Sequence, residues 1–402
     1  MIRPTVRFAL RTLSTLFPPQ KPLLFSGLNS SLKLASLMVA AGHRRPLLVT
    51  GKFALRVGML DDLLAYFDAE GCVVTIFDTV PPNPTFSVVD DGVEACRVNN
   101  CDSILIVGGG SAIDAAKVIA ASYTNGKSGE KLAGLLKVKT PPLPIYVVPT
   151  TSGTGSEATP AAVVSDNKTH RKTFVVDPKL ISRATALDPA MLKSLPPAMT
   201  AATTMDALTH AIEAYTSLNR FEDARRDAAL AIRLIVENLP AAIDDGDDLE
   251  AREKLAIGSF LAGYAFAKTS LGYVHAISHQ ISAHYDTPHG VANAILLPRV
   301  MRFNKTVCQD DFAALETMLG NDRDETSPLV LSTRFIDRIE ALSDRVSIPH
   351  HLDDLKVGDF PTIIRNALNE ARFSYAPPKA MSKAECQAIL TAVAEGRREL
   401  TF

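Results

Sequence analysis

A parallel α/β unit followed by an all-helical unit is the fold class this sequence predicts, and three observations carry it. Between Leu23 and Leu195, short apolar runs rich in β-branched residues alternate with helical stretches, which is the pattern of a sheet covered by helices on both faces. Pro196 and Pro197 then interrupt the chain and mark a boundary. Beyond them the apolar residues recur at helical spacing to the end.

Composition bounds the reading. The 402 residues allow two or three domains, and a hydrophobic fraction of 47% supplies their cores. A formal net charge of -2 argues against a general nucleic-acid binder. No apolar run approaches the roughly eighteen residues of a membrane span. Cys72, Cys96, Cys101, Cys308 and Cys386 are scattered, without a CxxC pair or zinc-ribbon spacing, and read as reduced thiols of an intracellular compartment. A cytoplasmic location is the expectation.

Residues 1–22 form a basic amphipathic extension. Pro4 can start a helix, Val6, Leu10, Leu13 and Phe17 keep helical spacing, and Arg3, Arg7 and Arg11 make a basic stripe. No acidic residue precedes Asp61, whereas nine Lys or Arg do. Three readings stand together: a presequence that would direct the chain to the mitochondrial matrix, a peripheral membrane contact by residues 1–17, or a helix docked on its own domain. Pro18, Pro19 and Pro22 end the segment.

The sheet follows. Pro46 to Gly51, Cys72 to Asp78, Ser103 to Gly110 and Pro144 to Thr150 read as buried parallel strands, whose carboxyl ends are where such sheets bind ligands. Two motifs lie there. In "GGGSAIDAAK", Gly108, Gly109 and Gly110 permit close approach of backbone to a diphosphate, and the amide of Ser111 opens a helix toward an anion. It lacks the GxGxxG pattern, and a structural tight turn would use the same glycines. "PTTSGTGSE", Pro149 to Glu157, offers hydroxyls and glycines after a strand, suited either to a cofactor or to a polar surface loop.

The helical half carries the second set of candidates. In "MDALTHAIEAYTS", Met205, Leu208, Ile212 and Tyr215 share an apolar side, while Asp206 and His210 stand four apart on another stripe. That stripe is either a solvated face or, among such apolar neighbours, a carboxylate that needs a cation. Four of the nine histidines, His275, His279, His284 and His289, fall between Ser270 and Pro298. Such a cluster suggests a borderline transition metal, and His275 and His279 share one helix face. His289, between Pro288 and Gly290, belongs to a turn that can fold back toward that helix. Spacing alone does not choose three of the four. "DDGDD", Asp244 to Asp248, reads as a solvated loop, and no internal repeat is present.

Taken together, "DALTHAIEAY", the histidine stretch ending in "PHG", and the two loop motifs resemble the iron-containing (group III) alcohol dehydrogenases. The resemblance runs from about Leu23 into the C-terminal region and weakens after about Ser347. It implies a dehydroquinate synthase-like architecture, with residues 23–195 as an α/β nicotinamide dinucleotide-binding domain and residues 196–402 as an all-α metal and substrate domain. It also implies that Asp206, His210, His275 and His289 hold Fe²⁺, or Zn²⁺ in some members, facing the cofactor across the cleft between the domains. By the same resemblance His279 lies near nicotinamide and substrate as a proton relay or a pocket wall, and His284 has no counterpart. Gly108, Gly109, Gly110 and Ser111 take the diphosphate, with Asp114 and Lys117 as neighbours on the helix. Thr150, Thr151 and Thr154 contact the cofactor, Lys172 its ribose and Asn83 the adenosine side. The stretch Phe373–Ser382 falls where the family varies near its pocket.

Gly51 departs from the pattern, because NAD-preferring relatives carry an aspartate there that repels a 2′-phosphate. With a glycine, and Lys52 beside it, NAD and NADP both remain open. The implied activity is hydride transfer between a primary alcohol or its aldehyde and NAD(P), by a homodimer or larger assembly. A hydroxyacid-oxoacid transhydrogenase or a polyol dehydrogenase is the alternative within the superfamily. A metal-dependent hydrolase of a phosphate-bearing substrate is the alternative from another class.

Overall fold

The computed structural model describes residues 20–166, 172–320 and 326–400. The basic stretch 1–19, on which the import and membrane readings rest, lies outside the described residues. The chain divides into two compact units at Leu195/Pro196.

Among the described residues the first unit has nine strands: β1 (Leu23–Ser26), β2 (Pro46–Thr50), β3 (Thr75–Phe77), β4 (Ser103–Gly108), β5 (Gly134–Leu135), β6 (Ile145–Pro149), β7 (Ala161–Ser165), β8 (Lys172–Val176) and β9 (Ala184–Leu187). Six make one parallel sheet in the order β1-β9-β6-β4-β2-β3. The other three form a small sheet, with β8 parallel to β5 and antiparallel to β7.

Period-2 geometry explains why the central runs are apolar throughout. Leu47, Val49, Ile104, Ile106, Ile145 and Val147 point into one core with Phe86, Val89, Ile113 and Ile119, from the helices Phe86–Val98 and Gly110–Asn125. The alternate residues Leu48, Leu105, Val107, Tyr146 and Val148 point into the other, against Leu34, Met38, Leu63 and Phe67 from the helices Ser30–Ala40 and Asp61–Ala69. β3 departs from the expectation of a buried strand. It is an edge of three residues with Ile76 exposed, so only one face of it needs an apolar side chain.

The second unit is helical: Pro197–Thr216, Glu222–Asp244, Leu249–Thr269, Tyr273–Tyr285, His289–Leu319, Pro328–Arg345, Phe360–Ser374 and Lys383–Ala394. Pro197–Thr216 is its central element, and from Thr204 to Thr216 every residue is buried. The solvated-face reading of Asp206 and His210 is therefore excluded. Gly290 explains how the next-but-three helix comes so near. A Cβ there would lie 2.1 Å from the Ala202 carbonyl oxygen, so only glycine allows this approach of the two backbones. No helix among the described residues is long and apolar enough to cross a membrane. All five cysteines are buried and unpaired.

Candidate functional site

In the sheet unit the two loop motifs meet. Both follow neighbouring parallel strands, β4 and β6, and Thr150 N donates to Gly108 O at 3.2 Å. A Cβ on Gly109 would press on Thr151 at 3.3 Å and one on Gly110 would lie 2.7 Å from Thr154 Cγ2, so side chains are excluded where the glycine loop crosses the threonines. Gly110 and Ser111 begin the helix Gly110–Asn125, whose first amides supply anion-binding capacity.

Gly51 directly follows β2 with φ -98°, and a Cβ there would meet nothing within 4 Å. Asn83 adopts a left-handed φ of 54°, and Lys172 begins β8 on an exposed position. Asp114 and Lys117 turn inward. Asp114 Oδ2 accepts from Val163 N at 3.1 Å, and Lys117 Nζ donates to the carbonyls of Ser156, Thr159 and Ala161 at 2.6, 2.7 and 2.9 Å.

In the helical unit, donor atoms of Asp206, His210 and His275 all lie within 4.8 Å of one another. Asp206 Oδ1 is 3.9 Å from His210 Nε2, 3.5 Å from His275 Nε2 and 3.6 Å from His289 Nε2. Asp206 and His210 come from the central helix, His275 from the first turn of Tyr273–Tyr285, and His289 opens His289–Leu319. The His210 ring stacks between Phe266 and His275, with centroids 4.4 and 4.5 Å away.

Two residues absent from the sequence reading complete this cluster. The Glu213 carboxylate is an acceptor only, so the 2.7 Å contact with His275 requires Nδ1 to be the donor and makes Nε2 the nitrogen that faces Asp206. Glu213 also accepts from Gly272 N at 2.8 Å and Val274 N at 2.7 Å, which ties off the start of the histidine helix. A Cβ on Gly272 would come within 2.7 Å of Glu213 Oε1, so glycine admits the carboxylate. The other residue is Asn293, whose Nδ2 stands 2.6 Å from Asp206 Oδ1, 3.2 Å from His275 Nε2 and 3.1 Å from His289 Nε2. Two hydrogens cannot serve three acceptors. One amide cannot satisfy the whole cluster, and its carboxylate-plus-imidazole chemistry is a donor set that fits a divalent cation.

These groups are strongly coupled. Burial alone would raise the Asp206 carboxyl, but the surrounding imidazoles of His210, His289 and His275 hold it well below the usual carboxylate range. Burial opposes charge on His275, yet Glu213 and Asp206 raise its pKa to about 9.

His279 stacks on His289 at 5.1 Å, and its Nδ1 meets Glu370 at 2.6 Å. His284 is set apart, beside Asp359 at 3.4 Å. Glu213 and Asn293 were findable. Each follows a candidate ligand by three or four residues on the same helix, His210 and His289 respectively, and so shares its face. Glu370 carried no such signal.

Comparison with known proteins agrees with this picture. The family model for iron-containing alcohol dehydrogenase matches residues 22–189, and that for the C-terminal part of the Fe-containing alcohol dehydrogenase family matches residues 200–394. 1,3-Propanediol dehydrogenase of Citrobacter freundii is 39% identical over 363 residues, covering 89% of this chain and 94% of that protein. A solved 1,3-propanediol oxidoreductase superposes with a TM-score of 0.90 at 38% identity, covering 94% of this chain and 99% of its own. Sulfoacetaldehyde reductase from Bifidobacterium kashiwanohense, solved in complex with NAD+, gives 0.84 at 27% identity, covering 93% and 98%.

Proposed function

Because the chain belongs to the iron-containing alcohol dehydrogenase family, we propose that it interconverts a small primary alcohol and its aldehyde with NAD(P), using Fe²⁺ held by Asp206, His210, His275 and His289. The observation that carries this reading is the convergence of three imidazole Nε2 atoms, from His210, His275 and His289, on one buried carboxylate oxygen, Asp206 Oδ1. When bound, the cation supplies a Lewis acid for the substrate oxygen and the nicotinamide supplies the hydride acceptor or donor.

The chain's own residues do the rest. Glu213 keeps the His275 ring oriented and its Nδ1 protonated. The glycine loop and Thr150, Thr151 and Thr154 hold the dinucleotide, the glycines giving it backbone amides without steric conflict. His279 is the titratable side chain beside the cluster suited to receive the alcohol's proton. A small diol or primary alcohol is supported by the names of the relatives, 1,3-propanediol dehydrogenase and oxidoreductase. NAD is supported by the related NAD+ complex, whereas the open space at Gly51 leaves room for NADP.

The test is metal analysis of anaerobically purified protein, combined with nicotinamide absorbance for a panel of primary alcohols against both cofactors. Stoichiometric iron with NAD(P)H formation is the expected result. Metal-dependent hydrolysis of a phosphate ester with no change in nicotinamide absorbance would replace this reading.

A further inference from the structure

Outside the candidate ligands, one polar cluster in the helical unit is built around a single carboxylate. Glu370 lies on the helix Phe360–Ser374, and its side chain is 21% exposed beside a His279 side chain that is 20% exposed. Both of its oxygens are engaged. Oε1 accepts from Tyr375 OH at 2.6 Å and stands 2.6 Å from His279 Nδ1, while Oε2 accepts from Gln280 Nε2 at 2.7 Å. Tyr375 OH is itself 3.5 Å from His279 Nδ1 and buried. Three donors from two elements thus hold one carboxylate in place.

The chemistry of the contact assigns the proton. An ionised carboxylate only accepts, so the short contact makes Nδ1 the protonated nitrogen and leaves Nε2 as the basic one. The ring so fixed stacks on His289 at an interplanar angle of 22°, and its centroid is 5.9 Å from that of His275. A base oriented by a third group through its far nitrogen is the arrangement that catalytic histidines require.

We infer that Glu370 is a positioning residue for His279, holding the ring through Nδ1 in one orientation and one tautomer beside the cluster, and that Tyr375 and Gln280 lock the carboxylate. The inference rests on the alcohol dehydrogenase reading for the substrate that the ring would face. A purely structural tie between helices would leave His279 indifferent to Glu370, and this distinguishes the two accounts.

The experiment has two arms. In the first, Glu370→Ala, His279→Ala and the double variant are compared as iron-loaded enzymes. Glu370→Ala should lower kcat by about tenfold or more with KM little changed, and should add less than about twofold when His279 is already absent. Effects that multiply in the double variant would overturn the inference. Should Glu370→Ala fail to fold, Tyr375→Phe carries the same cycle with a decrease of roughly threefold.

The second arm is ¹⁵N NMR of the histidines in metal-free, cofactor-free protein. The wild type should show His279 as the Nδ1–H tautomer, and the Glu370 variant a mixture. An unchanged His279 signal would sink the positioning role. Absence of any alcohol-dependent nicotinamide reduction by the wild type would defeat the functional reading instead, and the NMR arm would still decide the role of Glu370.

Discussion

Each unit of this protein buries a cluster of ionisable side chains, and the two clusters are satisfied in opposite ways. In the sheet unit, Lys117 spends its donors on three backbone carbonyls, with Asp114 and Glu157 as its nearby carboxylates. The lysine's charge is met within the unit. Burial dominates the cluster, raising Asp114 to about 6 and Glu157 to about 7 and lowering Lys117 to about 8. In the helical unit, burial is overcome instead. Asp206 is held far below the carboxylate range by the imidazoles of His210, His289 and His275, and one amide stands among them. A buried charge satisfied by its own backbone is architecture, whereas a carboxylate and three imidazoles converging on one point are a place suited to a cation.

The sharpest way to break this comparison is His275→Ala. Iron per chain should fall close to zero and turnover by roughly a thousandfold or more, while dinucleotide binding to the sheet unit, read by cofactor fluorescence, stays intact. Full iron content and rate in that variant would mean the assigned donors are wrong.

Lys117→Met probes the cluster of the sheet unit and should leave iron content unchanged. It strips the cation from two buried carboxylates, at a cost of about 3–5 kcal/mol in denaturant unfolding at neutral pH. The sign with pH follows from the raised values. Both carboxyls bind protons more tightly when folded, about 6 and about 7 against ordinary values of 3.8 and 4.5, so their contribution favours the fold at low pH. Stability should therefore be lost as pH rises from about 4 to 7, and more steeply in the variant. A flat difference across that window would refute the charge account.

Chelation separates the units in another way. Removing metal should lower the unfolding free energy of the helical unit by about 2–3 kcal/mol when free metal had stood near a hundredfold above its Kd, and hydrogen exchange should report the loss around Asp206 and Asn293 rather than in the β4 and β6 loops. Readdition of Fe²⁺ should restore it. The smallest effect is expected at Gly51. Gly51→Asp adds a side chain where nothing lies within 4 Å, so stability should be unchanged, while the ratio of NADP to NAD turnover falls by about tenfold. An unaltered ratio would remove Gly51 from the cofactor argument.

Much of the sheet was legible because β2, β4 and β6 are buried on both faces and their composition says so without knowledge of their neighbours. β9 was not, although it lies between β1 and β6, since four residues reading "ATAL" carry too little pattern to mark a strand. In the helical half, the stripe of Asp206 and His210 was visible as periodicity. Its burial was not, because a period of 3.6 describes one helix and says nothing about how many others surround it.

The identity of the side chains was settled by sequence alone: a carboxylate and a histidine one helical turn apart, four further histidines, and glycine loops after strands. Tertiary structure alone decided which of them meet. Asp206 and His289 are distant along the chain, and they come within 3.6 Å because Gly290 has no side chain to hold the two helices apart. Glu213 became the partner of His275, and Glu370 of His279, likewise through contacts between separate segments. A hydrogen bond between segments depends on distances set by packing, and local sequence carries no record of those distances.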